Sequence, residues 1–177
     1  MDQVEVERLR RLAELEATRQ HTTAELYEDI AYYGVEEAMQ VAIAQTIARL
    51  PRSVQDFACW NLQFVSIGDA LRGFALPGRL FSSPAWTSAD PIAEDIAAPP
   101  TEKSWLIVLN DSLLLGDASP EDAYSTIAHE IAHAWLGHEF PVWGMQAFND
   151  SERAASSQAQ QWGFTGPGTR FEDPFED

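Results

Sequence analysis

The sequence predicts a single α+β domain, and three observations predict it. Apolar residues in roughly the first fifty positions recur at the three-to-four spacing of helices. The middle of the chain turns aromatic, β-branched and alternating, as strands do. From Ser119 onward the helical spacing returns. Runs of helix, then strand, then helix argue for segregated layers rather than an alternating α/β sheet. At 177 residues the chain 1–177 suits one domain with its own core.

The first 21 residues read as a charged helical arm whose Val6, Leu9, Leu12, Ala13 and Leu15 form a narrow apolar stripe. Helix continues from Glu25 to Tyr33 until Gly34 interrupts it. A stronger helix carries Val35, Met39, Ala42, Ile43, Thr46, Ile47 and Leu50, and Pro51 ends it. These segments form a helical layer over a sheet. Phe57 to Ile67 reads as a strand closed by Gly68, with Cys59 as a small buried side chain within it. Arg72 to Leu76 is a second short strand stopped by Pro77-Gly78, and residues 82–100 form a long loop. Trp105 to Leu109 is the clearest strand.

Ser119 is the N-cap of the next helix, with Pro120 at its first position and Glu121 and Asp122 in its first turn. Ala123, Ile127, Ile131 and Ala134/Trp135 supply its apolar stripe, and Gly137 stops it. A last helix is expected from about Asp150 to Trp162, stopped by Gly163. The tail 166–177 reads as acidic and loose.

Charge narrows the partners. With 28 acids against 11 basic residues, the net charge of −17 repels phosphate backbones and anionic lipid. The expectation is no nucleic acid and no membrane, with peptide or protein as the partner; oligomeric state is left open. The charged N-terminus lacks a signal-peptide core, and the single cysteine fits a reducing compartment, so a cytoplasmic location is expected.

Chemistry concentrates in Ala128-His129-Glu130-Ile131-Ala132-His133. Two histidines four apart on a helix share one face and can grip a divalent metal, with Zn²⁺ the usual occupant. Glu130, turned about 100° round the helix, stands beside that metal, where a carboxylate can take a proton from activated water. A catalytic zinc site needs a third protein ligand. His138, Glu139 and Glu152 are the candidates. His138 follows the helix stop too closely to return to the metal, and it misses the metzincin spacing HExxHxxGxxH. Glu152 lies 19 residues after His133, room for a crossing and a return on a second helix. An N-cap at Asp150 would put Glu152 in a first turn, where the helix dipole favours a carboxylate.

With that ligand set the chain resembles the gluzincin metallopeptidases, and among them the small bacterial minigluzincins. The resemblance rests on Leu50-Pro51, Phe64-Val65-Ser66-Ile67-Gly68, Trp105-Leu106-Ile107-Val108-Leu109, residues 127–138, Glu152-Arg153-Ala154-Ala155 and Trp162-Gly163-Phe164. It covers roughly residues 35–164 and is specific in 127–138 and 152–164. It departs at Ser156, where the family carries an Asp that orients a ligand from behind. The resemblance implies a small, mostly antiparallel sheet and a zincin-type pair of metal-bearing helices. It also implies that Trp105–Leu109 lines the cleft and pairs with an extended substrate.

The expected activity is zinc-dependent peptide-bond hydrolysis, with His129, His133 and Glu152 as metal ligands and Glu130 as general base. An oxyanion donor is harder to assign. His138, Ser156 and Arg153 are candidates for outer-sphere or transition-state roles, and Tyr32 and Tyr33 are further options. The terminal segments lying over the cleft would make the enzyme latent. The alternative is a catalytically silent, metal-stabilised scaffold that binds a protein partner.

Overall fold

The computed structural model describes residues 19–67, 73–77, 104–110, 113, 119–138 and 145–170. The α+β class holds. In chain order the elements are α1 (Thr23–Asp29), β1 (Ala31–Tyr33), α2 (Glu37–Ala48), α3 (Arg52–Asn61) and β2 (Leu62–Ile67). There follow β3 (Gly73–Pro77), β4 (Trp105–Asn110), α4 (Pro120–Leu136), α5 (Met145–Gln161) and a 3₁₀ turn (Pro167–Thr169). The proposed arm up to residue 18 and the tail from residue 171 lie outside the described residues.

Thr22 opens α1 with a capping box: Glu25 N–H donates to its hydroxyl, and its own N–H donates to the Glu25 carboxylate. Helix does not continue to Tyr33 as the sequence suggests. Ile30 is already extended (φ −79°, ψ 139°), and Ala31–Tyr33 is a strand. The second difference is α3. Phe57–Asn61 is helical, and Cys59 is a half-buried helical residue instead of a buried strand residue. Aromatic composition disguised the spacing of Val54 and Ala58, which is one helical turn and faces the core. Gln55, fully buried in α3, donates to the carbonyls of Ala48 (3.1 Å) and Leu50 (3.1 Å). Its own carbonyl accepts from the His21 amide (2.9 Å), so one side chain joins the end of α2 to the N-terminal segment.

The sheet order is β1-β2-β4-β3. β1 pairs parallel with β2 and β2 parallel with β4, while only β3 runs antiparallel, against β4. The sheet is therefore mixed, not mostly antiparallel. Two pairings make it so: β1 reaches β2 by a helical crossover through α2 and α3, the connection that parallel pairing requires, and β4 lies parallel to β2 between it and β3. β4 is interior, bonded to β2 from Trp105 to Asn110 and to β3 along the other edge. Leu106, Ile107, Val108 and Leu109 are fully buried. α4 packs across this sheet with Ile127, Ala128 and Ile131, facing Met39, Ile43 and Ile47 of α2 within one core. Among the described residues no helix is long and apolar enough to cross a membrane.

The segment after α5 is not loose through residue 170. The Gly166 amide donates to Ser125 Oγ at 2.9 Å, and Gln160 donates to the Thr169 carbonyl at 2.9 Å. Thr169 is fully buried. Arg49 completes this clasp by forking onto the Glu121 carboxylate (2.9 and 2.9 Å) and stacking 4.4 Å from the Phe164 ring centroid. Gly168 sits so close to α4 that an added Cβ would stand 2.8 Å from Thr126 Cα, a backbone contact that cannot yield cheaply. Gly168→Ala is expected to lower the unfolding free energy by about 1–3 kcal/mol, as overpacking does, measured by urea denaturation.

Candidate metal centre

α4 begins as its sequence requires. Pro120 occupies the first turn, the Ser119 amide donates to the Asp122 carboxylate (3.1 Å), and Asp122 N–H bonds back to Ser119 O (2.9 Å). The helix then runs unbroken to Leu136, which places His129 and His133 one turn apart on its inner side. Both are about nine-tenths buried, at 8 % and 9 % exposure. α5 lies against this face and contributes Ala155, Ala159 and Ser156 to the contact, all buried.

Glu152 reaches the histidines from α5. It does so from the helix interior, because α5 already includes Met145, so Glu152 lies about two turns in and Asp150 is not its cap. The helix dipole therefore does not position this carboxylate; packing of α5 on α4 does. His129 Nε2 stands 3.0 Å from His133 Nε2 and 3.2 Å from Glu152 Oε2. His133 Nε2 stands 3.3 Å from Glu152 Oε1. Among the described residues, these three are the group whose donor atoms converge closely enough to hold a metal.

The donor set fits a divalent ion on two counts. Ligand atoms about 2.0–2.2 Å from a tetrahedral zinc are about 3.3 Å apart, close to the three separations found here. Two neutral imidazole nitrogens and one carboxylate are also the chemistry that zinc prefers. Without an ion the same atoms behave as a proton-sharing cluster. Burial opposes the ionisation of Glu152, but the imidazoles of His129 and His133 outweigh it and hold its carboxyl down at about 2. Burial likewise opposes protonation of His129, and the Glu152 and Glu130 carboxylates outweigh it, so its pKa lies above the ordinary value.

The other expected residues divide. Glu130 is buried at 7 % exposure on the same helix. Burial raises its carboxyl above the ordinary range, Glu152 adds to that, and the two imidazoles pull the other way. Ser156 sits with Oγ 3.3 Å from His129 Nδ1, the position from which a ligand is oriented. His138 does not join the triad; its Nδ1 lies 3.0 Å from His133 Nδ1, on the far side of that ring. Burial and the neighbouring His133 lower its pKa, keeping it neutral.

Arg153 is exposed, one position and about 100° round α5 from Glu152, and is not part of the cluster. Tyr32 packs between Tyr27 and Phe64, and its hydroxyl donates weakly to the Gln40 carbonyl (3.4 Å). Tyr33 is exposed on edge strand β1. Glu139 lies outside the described residues. Trp105, Leu106, Ile107, Val108 and Leu109 cannot pair with a substrate, because β4 is hydrogen-bonded along both edges. The sequence offered no signal for this, since an interior strand and an edge strand read alike when apolar.

Elemental analysis of the purified chain is expected to give about one zinc per molecule, and His129→Ala or Glu152→Ala to abolish it. Ser156→Ala is expected to weaken zinc about tenfold or more in a chelator competition, through loss of the acceptor behind His129.

No protein-family model, curated protein or solved structure matches this chain.

Proposed function

We propose that the chain is a zinc-dependent peptide hydrolase of gluzincin type. The observation that carries this reading is the convergence of His129, His133 and Glu152 from two helices, with the buried Glu130 beside them. A purely structural metal site has no use for a buried carboxylate next to its ligands, whereas hydrolysis does.

A divalent ion held by the triad supplies Lewis acidity toward a water and the scissile carbonyl. The chain's own groups do the rest. Glu130 accepts the proton of the attacking water and returns it to the leaving amine. Its burial favours the role, since a carboxyl held above its ordinary pKa is a better base. Ser156 holds the His129 ring, its Oγ accepting from His129 Nδ1–H. An extended substrate that adds to the sheet pairs with β3, which among the described residues has a strand on one side only. The acidic surface favours basic or neutral peptides. The half-buried Cys59, with no disulfide, suits a cytoplasmic setting.

The closure of β4 on both edges favours a second reading, a metal-stabilised scaffold that binds a protein partner. In that case the ion contributes folding energy alone. Peptide-library cleavage by the zinc-loaded protein separates the two. The hydrolase is expected to cut, and Glu130→Gln to keep its zinc while losing about 100-fold or more in kcat. Full zinc occupancy with no cleavage of any peptide, and a Tm that falls on chelation, would select the scaffold.

A further inference from the structure

A helix that ends on a left-handed glycine folds the next residue back over its last full turn. Both helices of the metal centre end this way. In α5, Gly163 (φ 93°) donates to the Gln160 carbonyl at 2.9 Å, and Phe164 donates to Ala159 at 3.1 Å. The side chains brought together are Phe164 and Ala159, both fully buried, the apolar pairing such a turn usually carries. In α4, Gly137 (φ 71°) donates to Ala134 at 3.2 Å, and His138 donates to His133 at 3.0 Å. The same turn here brings together two imidazoles, Nδ1 to Nδ1 at 3.0 Å, their planes inclined by 69°.

We infer that His138 is a positioning residue of the metal centre, accepting the Nδ1–H of His133 and thereby aiming the His133 Nε2 lone pair at the metal position. This rests on the metal reading above. His133 Nε2 faces His129 Nε2 and Glu152 at 3.0 and 3.3 Å, so it must be the bare nitrogen if it is to serve as a ligand. The ring proton then sits on Nδ1, and among the described residues the polar atom within bonding distance of Nδ1 is His138 Nδ1. Two Nδ1 atoms 3.0 Å apart form a hydrogen bond only when one is protonated, so His138 carries its proton on Nε2 and accepts at Nδ1. The two nitrogens of His133 diverge, which excludes His138 from the triad while placing it behind a ligand.

The two ligand histidines are thus held in different ways. His129 takes its acceptor, Ser156, from α5, so its orientation depends on the two helices being docked. His133 takes its acceptor from the end of its own helix, fixed by the backbone bond from His138 to His133. Half of the centre is preorganised within α4 alone.

Zinc affinity of the full-length chain, measured by competition with a chromophoric chelator, tests this. His138→Ala is expected to bind zinc about 10–100-fold more weakly. His138→Gln, which retains an acceptor oxygen, is expected to recover to within about threefold of wild type. Leu136→Ala, an exposed change in the same turn, is expected to leave affinity unaltered. Zinc-binding wild type with an unaffected His138→Ala overturns this inference alone, as does a His138→Gln variant as weak as His138→Ala. A wild-type chain that takes up no zinc overturns the metal reading and this inference together.

Discussion

A buried cluster of two imidazoles and a carboxylate is the constraint around which this molecule is arranged. Taking such groups out of water costs several kcal/mol each unless every donor and acceptor is met. Here each need is met by a particular element. Glu152 comes from α5, the outer nitrogen of His129 meets Ser156 of α5, and that of His133 meets His138 at the end of α4. The two helices must therefore be held in fixed register, and small residues at their contact, Ala155 and Ala159, allow the close approach. The sheet beneath supplies the apolar floor: Ile107 and Leu109 of β4 and Phe64 of β2 share one core with Ile127 and Ile131.

The clasp formed by residues 163–170 holds that register from outside. It touches α4 at Ser125 and Thr126 and α5 at Gln160, and Arg49 of α2 braces it through Phe164 and Glu121. Arg49 and Glu121 are both well exposed, so the ion pair itself adds little. Arg49 matters more as a planar group laid over a buried ring.

The parts legible in the sequence were those set by local rules. Ser119-Pro120 starts α4, Gly137 and Gly163 stop α4 and α5, Pro51 closes α2, and the four-residue spacing of His129 and His133 puts both on one helical face. Glu152 was found because chain length allowed a return, although the capping argument attached to it does not hold in the fold. What escaped was non-local. Whether Trp105–Leu109 is an edge or an interior strand depends on partners far away in sequence, and its apolar run reads the same in either place. Ala31–Tyr33 is too short to show a period, and it becomes a strand by pairing with Gln63–Val65. α3 hides its period because Phe57, Cys59 and Trp60 look strand-like by composition, while its helical face consists of Val54, Gln55 and Ala58. Spacing excludes His138 as a ligand and leaves it an outer-sphere candidate, but says nothing about which ring a folded-back residue meets, here that of His133.

The clasp has a consequence for the order in which the molecule matures. Residues 163–170 follow α4 and α5 in the chain, so during synthesis both helices emerge before the segment that locks them. Until then His133 already has its outer partner, whereas His129 and Glu152 wait on docking. Before that docking the cluster is therefore only half assembled. Assembly of the full cluster is thus a late folding event, in step with closure of residues 163–170 over α4 and α5.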